Sequence, residues 1–206
     1  MSADERVELA IAQLTRQPVL GMVKTRMLPA LSAERALALH REMTLYMTAN
    51  LSVAAPLTVW VDGDLNDPLF DECQRLGAAG FAQQPPGSLG ERMAFIASHI
   101  LADARKLVLV GSDAPSLGEQ HIARVASALD QADVVLVPAY DGGYVLLGLR
   151  IFCPEVFQEI DWGTDRVLQQ SLAALDKAQR SVVVLEPEPD IDRPDDLRWL
   201  PSDLIW

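Results

Sequence analysis

The stretch Leu107-Val108-Leu109-Val110-Gly111-Ser112-Asp113-Ala114-Pro115 decides the fold. Four consecutive apolar residues that stop at a glycine are typical of a strand buried on both faces of a parallel sheet. Asp113 follows the carboxyl end of this strand, where open α/β sheets bind their ligands. A carboxylate beside Pro115 can direct an oxygen at Mg²⁺ or Mn²⁺. The alternative is an Asx-type turn or a cap for the next helix.

Strand and helix signals alternate on both sides of this stretch, which predicts an α/β fold with a largely parallel sheet. Besides residues 107–110, the predicted strands cover residues 7–12, 57–61, 80–83, 134–137, 144–149 and 182–185. The strand over residues 144–149 follows the strand over residues 134–137 so closely that we predict it to be antiparallel. The predicted helices begin after Ser32, after the capping box at Ser88 and near Pro194, and cover residues 119–129 and 164–175.

Composition narrows the class of protein. The 206 residues fit one domain, here taken as residues 1–206. A net charge of -12 disfavours general binding to a nucleic-acid backbone. No apolar run reaches the roughly 18 residues of a membrane span, and residues 1–6 lack signal-peptide features, so we expect a cytoplasmic protein. The apolar residues 199–206 are expected to pack on the body or on a second subunit, which leaves a homodimer open.

A basic loop, Gly21-Met22-Val23-Lys24-Thr25-Arg26, follows the first predicted strand. No acidic residue lies between Glu8 and Glu34, and the same interval also contains Arg16, so the segment is locally positive. Glycine lets main-chain N–H groups converge on an anion, and Lys24 and Arg26 add positive charge. Neither a Walker A loop nor a GxGxxG fingerprint is present. The loop is therefore either a phosphate site or an ordinary solvated loop.

Asp141-Gly142-Gly143-Tyr144 follows another strand. The two glycines allow close backbone approach to a ligand. Asp141 can bind an acceptor or act as a base, and Tyr144 can stack or donate a hydrogen bond. A hairpin turn is the alternative, and it is compatible with a site.

Asp190-Ile191-Asp192 places two carboxylates two residues apart. They share a face if the segment is a regular strand, but Pro189 and Pro194 favour an irregular loop equally. We choose Asp192 as the metal ligand. A metal bound by Asp113, Asp192 and substrate phosphates matches the usual coordination of Mg²⁺, which takes few protein carboxylates together with phosphate oxygens.

Two further strings are first of all helix starts. Asp161-Trp162-Gly163-Thr164 offers Thr164 as an N-cap, and the alternative is an acceptor-pocket wall formed by Trp162 and Thr164. Leu89-Gly90-Glu91-Arg92-Met93 begins the helix after Ser88, and Gly90 or Arg92 can also contact a nucleotide.

In this order the strings resemble a bacterial family, the rSAM/selenodomain-associated transferase 1 proteins. More distantly, they are similar to phospholactate guanylyltransferases and molybdenum-cofactor nucleotidyltransferases. The matching strings are Arg16, Pro18, Gly21, VKTR (23–26), LGxRM (89–93), GSDAPxL (111–117), PAxDGGYxLxGL (138–149), Trp162, Thr164 and DIDxPxDL (190–197). Arg16 stands where the family usually has lysine.

The resemblance implies a Rossmann-like GT-A fold, a three-layer α/β/α sandwich with a mixed, mostly parallel sheet, in the nucleotide-diphospho-sugar transferase superfamily. It implies that the first loop holds a nucleotide and that Asp113, with Asp192, holds Mg²⁺ or Mn²⁺. Our expected catalytic residues are Asp113, Asp141 and Lys24. The expected nucleotide contacts are Arg16, Gly21, Lys24, Thr25, Arg26, Gly90 and Arg92. The expected acceptor contacts are Asp141, Gly142, Gly143, Tyr144, Trp162 and Thr164.

The leading functional hypothesis is a metal-dependent glycosyltransferase that uses a nucleotide-sugar and a small-molecule acceptor. The short basic loop, without a lysine-rich pyrophosphorylase pattern, favours glycosyl transfer slightly. A nucleotidyltransferase that releases pyrophosphate is the first alternative. A non-catalytic nucleotide-binding module is the second.

Overall fold

The computed structural model describes residues 6–28 and 30–206, which form a seven-stranded sheet flanked by helices. The strands are β1 (Ala10–Arg16), β2 (Leu57–Asp62), β3 (Gly80–Gln83), β4 (Leu107–Val110), β5 (Val134–Pro138), β6 (Tyr144–Leu149) and β7 (Val182–Val184). The helices are α1 (Ala33–Ser52), α2 (Pro68–Arg75), α3 (Leu89–Ile100), α4 (Glu119–Ala128) and α5 (Val167–Lys177). Short 3₁₀ segments cover Thr25–Met27, Pro154–Phe157 and Pro194–Trp199.

The strand order is β3-β2-β1-β4-β6-β5-β7. Neighbouring strands are parallel except that β6 runs antiparallel to both β4 and β5. The predicted α/β fold with a mixed, mostly parallel sheet is confirmed, including the antiparallel strand over residues 144–149. As a result the carboxyl ends of β1, β2, β4, β5 and β7 meet the amino end of β6 at one edge.

Each face of the sheet carries its own apolar cluster. Ile11 and Val108 belong to the cluster beneath α1, α2 and α4, whereas Ala12 and Leu109 belong to the cluster beneath α3 and α5. Successive strand residues point to opposite faces, so a continuous apolar run fills both clusters. The result is the predicted three-layer sandwich.

A third, smaller cluster ties the end of the described chain to α1. It consists of Met27, Leu39, Met43, Ile191 and Leu204. Nearby, the guanidinium of Arg35 lies 4.3 Å from the ring centroid of Trp206. Of the two alternatives expected for residues 199–206, the structure shows packing on the body, through Leu200, Leu204 and Trp206.

The structure moves two predicted boundaries. The first strand runs over Ala10–Arg16 instead of residues 7–12, because its residues from Ile11 to Arg16 pair with β2 while Val7 makes only an isolated bridge to Ala104. This shift puts Arg16 at the end of the strand, at the ligand-binding edge.

The fifth helix begins at Val167, so Thr164 as its N-cap was wrong. The Thr164 hydroxyl instead donates to the carbonyl of Asp161 at 2.7 Å and accepts from the N–H of Arg166 at 3.3 Å, which closes a turn before the helix. Helix α2 was not predicted; it begins at Pro68 with Asp67 as N-cap. In residues 6–28 and 30–206 no helix is long and apolar enough to cross a membrane.

Candidate active site

A cavity of about 670 Å³ opens at the edge where the strand ends meet, and we call it the first cavity. It contains most of the residues that the sequence predicted for a nucleotide and a metal. Those lining it are Arg16, Lys24, Thr25, Arg26, Arg92, Asp113, Tyr144 and Asp192. Strands β1, β4 and β6 therefore converge on one site.

Gln13, fully buried in β1, fixes the position of the loop after β4. Its amide nitrogen donates to the Thr44 carbonyl at 3.0 Å and to the Ser112 hydroxyl at 3.1 Å, and its oxygen accepts from Thr48 at 2.8 Å. A buried amide with every bond made is costly to disturb. The Gly111-Ser112-Asp113 turn is thus held to both β1 and α1.

Lys24 reaches into the first cavity from a strained backbone position. Its φ of 50° lies in the left-handed region that disfavours side chains. Its side chain is only 4% exposed, and its ammonium donates to Asp113 Oδ1 and to the carbonyl of Ile191, both at 2.5 Å. Lys24 therefore holds Asp113 and the 190–192 segment together.

The carboxylate of Asp113 is kept ionised in this setting. Removal from water raises its pKa, but the adjacent Lys24 ammonium, together with His40 and Arg16, lowers it, and the net result is a pKa below the ordinary value. The Asp113 side chain is 53% exposed to the cleft, and Oδ2 accepts no hydrogen bond from residues 6–28 or 30–206. One carboxylate oxygen is thus available to a ligand.

Asp192 lies beside Asp113, because the N–H of Ile191 donates to the carbonyl of Asp113 at 2.7 Å. Its carboxylate pairs with Arg26. The hydrogen bond to Asp192 and its charge raise the pKa of the Arg26 guanidinium. The basic loop and the acidic segment therefore meet in two ion pairs, Lys24 with Asp113 and Arg26 with Asp192.

The carboxylates of the site suit a metal ion only if a substrate supplies further ligands. Within the described parts of the chain, no three His, Cys, Asp or Glu side chains are grouped to hold a metal ion. Asp113 and Asp192 supply two adjacent carboxylates, each already sharing charge with a cation. Mg²⁺ accepts one or two protein carboxylates when phosphate oxygens and water complete its shell, so the pair suits a metal that arrives on a phosphorylated ligand.

Arg16 is the cation of the first cavity with the freest side chain. It is exposed at the end of β1, and its guanidinium makes no ion pair or hydrogen bond to other residues of the described ranges. Its carbonyl accepts a hydrogen bond from Nε2 of His40 at 3.0 Å. Arg92, by contrast, is paired with Asp62 at 2.7 Å. An incoming anion can engage Arg16 without breaking an existing contact.

A second cavity of about 520 Å³ adjoins the first and shares Arg26 and Asp192 with it. Asp141 and Thr164, two of the predicted acceptor residues, line it. It also contains Tyr140 and Trp199, whose ring centroids lie 6.2 Å apart.

Asp190 also lines the second cavity. Burial, followed by the charge of Asp141, raises the pKa of its carboxyl group to about 6. The second cavity is lined by five aspartates and three arginines, so the formal charge of its lining is negative.

Five predicted residues, Gly21, Gly90, Gly142, Gly143 and Trp162, line neither cavity. Gly90 packs against Trp162, since a Cβ at this position would lie 2.6 Å from the Trp162 ring nitrogen and from the Phe157 carbonyl. At Gly142, with φ of +94°, a Cβ would lie 2.3 Å from the Asp165 carbonyl. Gly143 donates its N–H to Asp141 at 3.0 Å. The close contacts of Gly90, Gly142 and Gly143 position the segments next to the cavities. Gly21, also with positive φ, turns the exposed basic loop.

Sequence reasoning missed several lining or supporting residues. A signal existed for Gln13, a polar residue within an otherwise apolar strand. His40 and Gln84 line the first cavity but show no motif. Tyr140 and Trp199 meet only through tertiary structure.

Solved structures with this architecture define the class of protein. A candidate nucleotide-diphospho-sugar transferase from Desulfovibrio desulfuricans G20 aligns with a TM-score of 0.84 and 31% identity, over 93% of this chain and 85% of that one. CMP:2-keto-3-deoxy-manno-octonic acid synthetase in complex with CTP aligns with a TM-score of 0.57 and 11% identity, over 93% and 96% of the two chains. A 4-diphosphocytidyl-2C-methyl-D-erythritol synthase from Anaerococcus prevotii DSM 20548 aligns with a TM-score of 0.60 and 10% identity, over 94% of each. The last two show the fold alone.

The particular family follows from the sequence. Residues 45–164 match the model of DUF2064, described as an uncharacterized protein conserved in bacteria. The chain belongs to this family, and the expected superfamily is confirmed. No curated protein matches the chain significantly.

Proposed function

We propose that this protein is a metal-dependent transferase that moves a glycosyl group from a nucleotide-sugar to a hydroxyl acceptor. The observation that carries the proposal is the contrast in charge between the two adjoining cavities. The first is lined by four cations, Arg16, Lys24, Arg26 and Arg92, and by three aspartates that pair with all of them except Arg16, so positive charge is in excess by one, which suits a diphosphate. The second is lined by five aspartates and three arginines, so negative charge is in excess.

This contrast favours glycosyl transfer over nucleotidyl transfer. In nucleotidyl transfer the second substrate attacks through a phosphate, and an acidic cavity repels such an anion. A hydroxyl acceptor carries no charge and meets no such barrier. The D. desulfuricans protein, a candidate nucleotide-diphospho-sugar transferase, is consistent with the same reading.

In the proposed reaction the acceptor oxygen attacks the anomeric carbon of the donor. The bond from that carbon to the diphosphate oxygen breaks, and the nucleoside diphosphate leaves with the electron pair. The hydroxyl proton passes to a carboxylate, for which Asp141 is our candidate. Its Oδ1 accepts from Gly143, and Oδ2 accepts nothing from the described residues.

Charge on the leaving diphosphate is offset by groups that are already in place. Arg16 contacts the phosphates, and Lys24 keeps Asp113 ionised and positioned. Asp113 and Asp192 would hold Mg²⁺ or Mn²⁺, which would supply further neutralisation of phosphate charge when bound. Preorganised charges of this kind lower the barrier because they need no rearrangement during reaction.

The test is a thermal-shift screen of UDP-, GDP-, CDP- and dTDP-sugars with and without Mn²⁺, followed by product analysis. We expect metal-dependent stabilisation by one nucleotide-sugar and release of its nucleoside diphosphate. Arg16→Ala should abolish the shift, whereas Arg75→Ala, on the exposed end of α2, should not. Pyrophosphate release from a triphosphate would refute glycosyl transfer, and metal-independent binding without turnover would indicate a non-catalytic module.

A further inference from the structure

We infer that the second cavity binds an uncharged polyhydroxylated acceptor of the carbohydrate or polyol class, held between the Tyr140–Trp199 pair and the carboxylates of Asp141 and Asp190. The inference rests on the proposed function, because it names the acceptor of the same reaction.

The aromatic wall is unusually open to solvent. Tyr140 is 62% exposed and Trp199 is 45% exposed, although their rings lie 6.2 Å apart at an interplanar angle of 37°. Both rings line the second cavity. Broad apolar faces beside polar groups are suited to the C–H face of a sugar ring, which is itself apolar on one side and polar at its edge.

Both carboxylates can accept further hydrogen bonds. Asp190 is half-buried, and no other described residue donates a hydrogen bond to its carboxylate. Asp141 has one oxygen engaged by Gly143 and the second open. Carboxylates are acceptors only, and partly buried acceptors gain from donors. Neighbouring hydroxyl groups supply such donors without adding charge.

The charges of the cavity select an uncharged ligand over an ionic one. The excess of aspartates disfavours a sugar phosphate. An amine is disfavoured at the aromatic wall, because the guanidinium carbon of Arg198 already lies 5.2 Å from the Trp199 ring centroid. A neutral ring adds no charge beside either group.

The test uses saturation-transfer NMR on the full chain with three probes: methyl glucoside, glucosamine and a glucose phosphate. Each is measured without nucleotide and again with UDP and Mn²⁺, so that ordered binding is covered. We expect methyl glucoside to bind best and Trp199→Ala to weaken it about tenfold, the scale of one lost aromatic contact. Tyr140→Ala, at a more exposed ring, should also weaken it. Phe152→Ala is the matched control, since this partly exposed ring stacks on Phe157 and lines neither cavity.

Three outcomes overturn the inference: tighter binding of the phosphate, tighter binding of the amine, or equal binding by wild type and both cavity variants. Absence of binding in both states, without nucleotide and with UDP and Mn²⁺, is a fourth outcome that overturns it. These failures are distinct from failure of the proposed function, which is decided by the nucleotide-sugar screen. Neutral-sugar binding without any nucleotide-sugar binding would support the site and refute the transfer reaction.

Discussion

The ion pair between Lys24 and Asp113 predicts an asymmetric response to removing either charge. The Lys24 side chain is 4% exposed and the Asp113 side chain is 53% exposed. Asp113→Asn leaves a buried ammonium without a counter-charge, with only neutral acceptors, the asparagine amide oxygen and the Ile191 carbonyl, as close partners. Lys24→Met keeps the apolar stem and leaves a carboxylate that water can reach. The asparagine variant should therefore be the less stable one.

The magnitudes follow from the exposures. Breaking a buried pair by removing one partner costs about 3–5 kcal/mol, and the half-exposed partner reduces this, so we expect a loss of about 2–3 kcal/mol for Asp113→Asn. For Lys24→Met we expect about 1 kcal/mol, the scale of an exposed pair. The assay is urea denaturation of both single variants and of the double variant. We expect the two substitutions to show a coupling energy of about 1 kcal/mol or more. Equal losses, a larger loss for Lys24→Met, or no coupling would refute the reasoning.

Three further predictions concern the supports of the site. Gly142→Ala should lose about 1–3 kcal/mol more unfolding free energy than Gly163→Ala, because both glycines have positive φ but only at Gly142 would a Cβ meet the Asp165 backbone; equal losses in urea would contradict this. Burial lowers the pKa of His40 below 6.5, so the unfolded chain binds more protons and stability falls as pH drops through this value. His40→Gln should therefore flatten the decline in urea midpoint between neutral and mildly acidic pH, and an unchanged decline would exclude His40 as its source. Leu204→Ala should lower the free energy of unfolding by about 2–4 kcal/mol and make the basic loop more susceptible to proteases. Ile205→Ala, at a residue that is 85% exposed, should change neither the stability nor the susceptibility. Similar behaviour of the two variants would show that Leu204 does not support the basic loop.

The sequence predicted best where one physical signal dominates. The apolar run of β4 and the closeness of β6 to β5 determine strand position and direction, and both were confirmed. Helix α2 was missed because its N-cap and first proline read as part of a turn-rich segment. The start of β1 was misplaced because hydropathy does not show where pairing with β2 begins.

For the site, the motifs predicted which residues gather but not how they interact. Lys24 and Asp113 were assigned to different ligands, yet the structure pairs them directly. Trp162 looked like a pocket wall and instead packs on Gly90. The wall formed by Tyr140 and Trp199 joins residues far apart in sequence, and no local pattern records such a contact.

The third cluster has a consequence for how the molecule is made. Met27 and Ile191 lie next to the two site segments, and Leu204 packs with both. Ribosomes synthesise chains from the amino terminus, and the sheet strands precede residue 204. The nascent chain can form most of its sheet while the cluster beneath the basic loop remains open. The cluster beneath the candidate site is thus completed only after residue 204 has been synthesised, later than the sheet that it packs against.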